Sequence, residues 1–163
     1  MLLPFFQFLN DMEFATAIRE SALVYPVIMT THLTGMALFG GMILMVDMRL
    51  LGLAMTGHSV TDVVQGLRVW KRIGFVLVVA CGVLLAWSEA TKYYPNPYFW
   101  SKMTLLGLVI IHSVVFRSSV YNNTEALDQA PTMPGIAKLA AGSSLVLWAG
   151  LVTFGRLIGY WEG

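Results

Sequence analysis

Four stretches without a single charge divide this chain and dictate most of what it can become. They run from Ser21 to Val46, Ile73 to Ser88, Met103 to Phe116 and Leu139 to Gly155. A helix needs about 20 mostly apolar residues to cross a bilayer core about 30 Å thick. The shorter runs reach that length by recruiting flanking Trp, Tyr, Lys and Arg, side chains that anchor or snorkel at the interface. The expected fold is all-α, an integral membrane four-helix bundle. Its spans fall at about 22–53, 70–91, 98–121 and 136–160, within one membrane domain covering the whole chain. Composition agrees, since 12% of the residues are charged against about 25% in a soluble domain.

Ahead of the first span, residues 4–20 place Phe5, Phe8, Leu9, Met12, Ala15 and Ile18 at helical spacing. Gln7, Asn10, Asp11, Glu13 and Glu20 fall largely on other faces. This pattern predicts an amphipathic helix, either lying on the membrane surface or capping the bundle. The segment carries no basic region before Arg19, so a cleavable signal is not expected.

Tyr93-Tyr94-Pro95-Asn96-Pro97 is a turn between the second and third spans, because two prolines oppose helix there. Pro134 is placed to open the last helix. Arg49, Arg68, Lys71 and Arg72 flank the first connection, and Arg117 and Lys138 the third, whereas Arg19, Lys92, Lys102 and Arg156 lie opposite. Positive residues favour the cytoplasmic side, so both termini are expected in the periplasm of a bacterial inner membrane. Asp47 and Arg49 are expected to make interfacial polar contacts. The net charge of +1 and the absence of a basic cluster argue against nucleic acid as a partner. Cys81 stands alone in mid-span and reads as a small buried hydrophobe.

Ionisable groups inside spans are costly and mark function by default. His32 lies deep in the first span, followed by Gly35, Phe39, Gly40 and Gly41. An imidazole with small neighbours leaves room for a flat, bulky group, as haem requires, with Thr31 or another hydroxyl orienting the second ring nitrogen. A histidine hydrogen-bonded between helices, with the glycines allowing close packing, is the plainer alternative. His112 is the other histidine within a span. Counted from the outer ends, it lies about 21 Å deep and His32 about 13 Å deep, a mismatch that is awkward for one iron. Lys102, about one turn inside the third span, either snorkels outward, pairs with Glu89, meets a haem propionate or ligates iron through its neutral amine. Arg156, and with it Lys92, divides between snorkelling and propionate binding. Met29, Met36, Met42, Met45, Met48 and Met55 along the first helix offer soft ligands for copper, although they point around much of its circumference.

His32, the glycines after it and Arg49-Leu50 at the inner end resemble the first span of HemJ-type protoporphyrinogen oxidases and the related CopD-like membrane domains. Trp100-x-Lys102 opening the third span, with His112 farther on, is similar to the Trp-x-x-Lys-Leu and later histidine of the HemJ pattern, with the spacing one residue shorter. The resemblance implies a small helical membrane protein binding haem b, with His32 and Lys102 at the site. His112 or Lys102 would stand opposite His32, while Gly35, Phe39 and Trp100 would pack on the ring and Arg156 and Lys92 would meet its propionates.

The function expected from these residues is a haem-b-binding redox protein that transfers electrons or oxidises a porphyrin, with a quinone or porphyrin and a redox protein as partners. Copper handling and a non-catalytic membrane scaffold are the rivals. Gly155 and Gly159 form a small-xxx-small pair that permits a homo-oligomer. No nucleophile, phosphate-binding or hydride-transfer motif supports other chemistry.

Overall fold

Leucine, valine, isoleucine and alanine without interruption make helices whose backbone is satisfied internally, and the polar residues between them supply the stops. The computed structural model describes residues 2–162. Two short helices, α1 (Leu3–Asn10) and α2 (Glu13–Glu20), precede α3 (Val24–Leu51). After them come α4 (Val60–Gly66), α5 (Arg68–Ser88), α6 (Ala90–Tyr93) and α7 (Pro97–Val115). A π-type turn over Arg117–Tyr121 leads to α8 (Thr124–Gln129) and then α9 (Gly135–Leu157). The helices α3, α5, α7 and α9, the last with its 3₁₀ extension to Tyr160, are long and apolar enough to cross a membrane. The chain is a multi-pass membrane protein.

Local chemistry sets the boundaries. Ser21 Oγ accepts the Val24 amide, and Ser59 Oγ accepts that of Asp62, so serines open α3 and α4. Gly52 closes α3 in the left-handed region at φ 75°. Asn96 is buried and opens α7. Its Oδ1 accepts the Tyr98 and Phe99 amides, and its Nδ2 donates to the Ile158 carbonyl at the end of α9. One asparagine thus fastens the start of α7 to the finish of α9.

The predicted single N-terminal helix is two. Met12 is extended (φ −64°, ψ 137°) and breaks the segment after Asn10. The pair folds over one end of the bundle. Arg19 donates to the Ser88 carbonyl at 2.8 Å and to Asn10 Oδ1 at 3.2 Å, and Trp87 Nε1 donates to the Leu9 carbonyl. Arg19 thus satisfies a carbonyl that α5 leaves open at its C-terminus. Arg19→Ala is expected to loosen α1 and α2 while the bundle persists. Faster amide exchange confined to residues 3–20 would show this, and unchanged exchange there would refute the clamp.

Across the bundle the order is α5, α3, α9, α7. Helix α3 packs along α5 and α9, and α9 along α7, whereas α5 and α7 make no extended contact. One side is therefore open. Large side chains of one helix rest on glycines of the next. Leu77 lies against Gly35, Phe39 against Gly74, Trp148 against Gly40 and Leu105 against Gly150.

The apolar core is concentrated at the end opposite the termini. Val46 and Leu50 of α3 meet Val60, Val63 and Val64 of α4, with Val120, Leu127, Ala137, Ala140 and Ala141 closing round them. Asp128 of α8 ties this cap together. It accepts the Val60 amide at 2.6 Å and the Thr61 amide at 3.0 Å, at the N-terminus of α4. Slight burial opposes its charge, but the bonds from Thr61 and Val60 and the nearby Arg49 outweigh that and hold the carboxyl below its usual range. Its contribution is therefore complete above about pH 4 and disappears as pH falls below that value. Asp128→Ala is expected to cost about 1 kcal/mol, as a lost cap does. Protection of the Val60 and Thr61 amides in hydrogen exchange, followed across pH, checks both statements.

Candidate functional site

His32 lies eight residues into α3, about 12 Å from the end that carries the termini. It is buried, 7% exposed, and its ring enters the crevice between α3 and α5. Nδ1 lies 3.0 Å from the Val78 carbonyl of α5, which can only accept, so Nδ1 carries the proton. The ring fits because Gly82 lacks a side chain. A Cβ there would stand 3.1 Å from His32 Cε1. This donor bond leaves Nε2 unprotonated, with no hydrogen-bond partner among the described residues. A backbone carbonyl, rather than Thr31, thus orients the second nitrogen.

Lys102 enters the same end of the bundle from α7, about 8 Å from the helix start. Its stem packs on Gly155 of α9, with Nζ 3.5 Å from where a Cβ would stand. The side chain is half-buried, and its charge lies within electrostatic range of His32. Among the described residues it has neither a hydrogen-bond partner nor a carboxylate. The single ion pair there joins Lys92 to Glu89 at 3.0 Å. His32 and Lys102 therefore share one layer, come from diagonally placed helices, and each rests against a glycine.

The other candidates make contacts of their own. His112 is about 22 Å along α7, and its Nε2 is held by the Ala140 carbonyl at 2.9 Å and Ser143 Oγ at 3.0 Å. It bridges α7 and α9, with Phe116 and Tyr121 beside the ring. Arg156 is exposed and folds back on Tyr160, its Nη2 2.7 Å from the phenol oxygen. Lys92 points outward to Glu89. Trp100 donates to the Tyr94 carbonyl at 2.9 Å and faces Phe6 and Phe99 at the surface. Gly35 is covered by Leu77, and Phe39 packs on Trp148 and Phe75.

Two residues of the site left little trace in the sequence. Val78 and Gly82 lie in an apolar run where nothing marks them as the seat of a histidine. Outside this site, Asp47, expected at the interface, is 1% exposed, with Ser144 of α9, Lys71 of α5 and Tyr121 nearby. Two open clefts complete the picture. One of about 240 Å³ is lined by Pro26, Val27, Thr30 and Thr31, and one of about 220 Å³ by residues including Met45, Met55, His58 and Asp62.

No curated protein and no solved structure matches the chain. A family model does match, over residues 15–161, which takes in α3 to α9 and both His32 and Lys102. The chain belongs to the family of unknown function DUF6644.

Proposed function

We propose that the protein binds haem b in the layer of His32 and Lys102 and serves as an electron-transferring protein of the bacterial inner membrane. The observation that carries this reading is the His32 ring itself. Its Nδ1 is committed to the Val78 carbonyl at 3.0 Å, and its Nε2 is left as a free lone pair within the bundle. Metal-bound histidines are held in that way, with the distal N–H on a carbonyl fixing tautomer and orientation.

The surrounding residues fit the group. Lys102 supplies an amine without a partner in the same layer, suited to a second ligand or to a propionate. Gly82 and Gly155 keep side chains away from both groups. The separation of α5 from α7 leaves a side through which a flat ring or a lipid-soluble quinone or porphyrin can enter. Ligand pockets usually measure about 300–1,000 Å³, and neither cleft reaches that size, so a ring held by His32 would have to lie along the open side. Haem bound there would supply one-electron chemistry whose potential its ligands and burial would set. In this reading His112, whose Nε2 is engaged by α9, is not a ligand.

The likeness to HemJ and CopD proteins in His32, Lys102 and the first-span glycines points the same way. It does not extend to a reaction, because a shared fold does not carry its chemistry with it. The test is an absorption spectrum of the protein purified in mild detergent from haem-replete cells, as isolated and after dithionite. A Soret band with α and β bands that sharpen on reduction supports the proposal, and a colourless preparation ends it.

Copper binding is the second reading. Met45, Met55 and His58 share one cleft at the opposite end, and thioethers with imidazole suit Cu(I). Copper in a metal assay of a colourless preparation, lost in Met55→Leu with His58→Ala, would favour it.

A further inference from the structure

The least explained polar group in the molecule is Asp47. It lies in a membrane-length helix between Val46 and Leu50, is 1% exposed, and its Oδ2 is buried with no hydrogen-bond partner. A carboxyl so placed lacks the compensation that buried polar atoms nearly always have. Its neighbours come from each element packed round it. Lys71 of α5 is within electrostatic range yet outside ion-pair distance, with Arg68 behind it at the start of the helix. Ser144 of α9 lies beside the carboxyl, and Tyr121 approaches from the turn after α7. His112 stands one ring farther on, 6.4 Å from Tyr121, and bonds to Ser143, the residue before Ser144. Helix α4 contributes the apolar Val60, Val63 and Val64, while its Asp62 faces solvent.

This is a polar layer inside the bundle, distinct from that of His32 and near the opposite end. It unites a carboxyl, an amine, a phenol and an imidazole, all groups that give or accept protons. Ionisable side chains grouped in this way within spans mark proton or ion pathways. The nearby ammonium makes the layer a poor host for a metal cation, but a proton needs no vacant coordination shell.

We infer that Asp47 is the exchanging group of a proton-binding site, with Lys71 as its charge partner. In the protonated state the carboxyl is neutral, and its O–H can serve the oxygen that otherwise lacks a bond. On release, the proton passes to water, and the carboxylate left behind is balanced by the Lys71 ammonium. No oxidant or reductant is consumed. The site stands whether or not haem occupies the other layer.

Infrared difference spectroscopy of the full chain in lipid nanodiscs, titrated between about pH 4 and about pH 9, tests this. Aspartate carrying ¹³C in its side-chain carboxyl separates aspartate bands from glutamate ones, and of the four aspartates Asp47 alone is buried. The expected result is a carboxylic-acid C=O band of an apolar environment that exchanges with a carboxylate band as pH changes. It shifts with the isotope and is lost in Asp47→Asn. Lys71→Met is expected to displace its midpoint. Overturning results are an isotope-sensitive spectrum with no such band at any pH, a band that never changes with pH, or a band that survives in Asp47→Asn. An unchanged midpoint in Lys71→Met overturns the pairing. Should Asp47→Asn fail to fold, the isotope-edited spectrum of the native chain still decides.

Discussion

His32→Ala is expected to abolish the Soret absorbance of the purified protein, whereas His112→Ala retains it. Both histidines lie in apolar spans, although only His32 is followed by a run of glycines. Their hydrogen bonds separate them. His32 spends one nitrogen on the Val78 carbonyl and keeps the other free, while His112 has Nε2 on the Ala140 carbonyl and Ser143. Losing His112 removes a bridge between α7 and α9, at about 1 kcal/mol for a typical hydrogen bond, without touching the proposed ligand layer. Lys102→Met keeps the stem that packs on Gly155 and removes only the amine. It is expected to alter the reduced α and β bands if the amine ligates iron, and to leave them in place if it meets a propionate. Gly82→Val offers a check that spares the histidine. Its side chain would occupy the seat of the His32 ring, and haem content should fall with it. Retention of the full spectrum in His32→Ala would refute the ligand assignment.

The second large effect is expected at Gly40, where α3 meets α9. A Cβ on this residue would collide with the Trp148 indole, whose Cε2 and Cζ2 lie 2.7 Å from that point. The indole is a rigid ring already held edge-on by Phe39, their centroids 5.6 Å apart, so it cannot swing aside as the tip of a flexible chain would. Gly40→Leu is therefore expected to force α3 from α9 and to destabilise the protein by roughly 3 kcal/mol, the upper part of the usual cost of overpacking. The better helix propensity of leucine returns less than about 1 kcal/mol. Gly142→Leu serves as the control, since nothing stands within 4 Å of its Cβ position. There only the propensity gain, up to about 1 kcal/mol, should appear. Denaturant titration in detergent compares the two, and equal stabilities would show that the Trp148 contact does not hold the bundle together.

Hydrophobic pattern and spacing were enough to place the four long helices, the proline turn before α7 and the helix start after Pro134. Bilayer thickness and backbone hydrogen bonding leave a charge-free run of that length few alternatives. Ends were read less well. The third helix stops at Val115 and passes into a π-type turn, although its apolar character continues to Phe116 and residues 98–121 were predicted helical. The break at Met12 was equally hidden, because the amphipathic pattern runs straight through it. His32 and Lys102 could be singled out by their chemistry alone, since a histidine and a lysine among apolar residues are conspicuous.

What only tertiary structure decided is which groups have partners. Sequence offers His32 as a ligand with His112 or Lys102 opposite it, and assigns Asp47 to the interface. Packing gives His112 a carbonyl, gives His32 a glycine seat, and encloses Asp47 among α5, α9 and the turn after α7. The physical reason is that burial and hydrogen bonding belong to pairs of helices. A glycine on one helix matters only through the side chain opposite it, and no single run of residues encodes which one that will be.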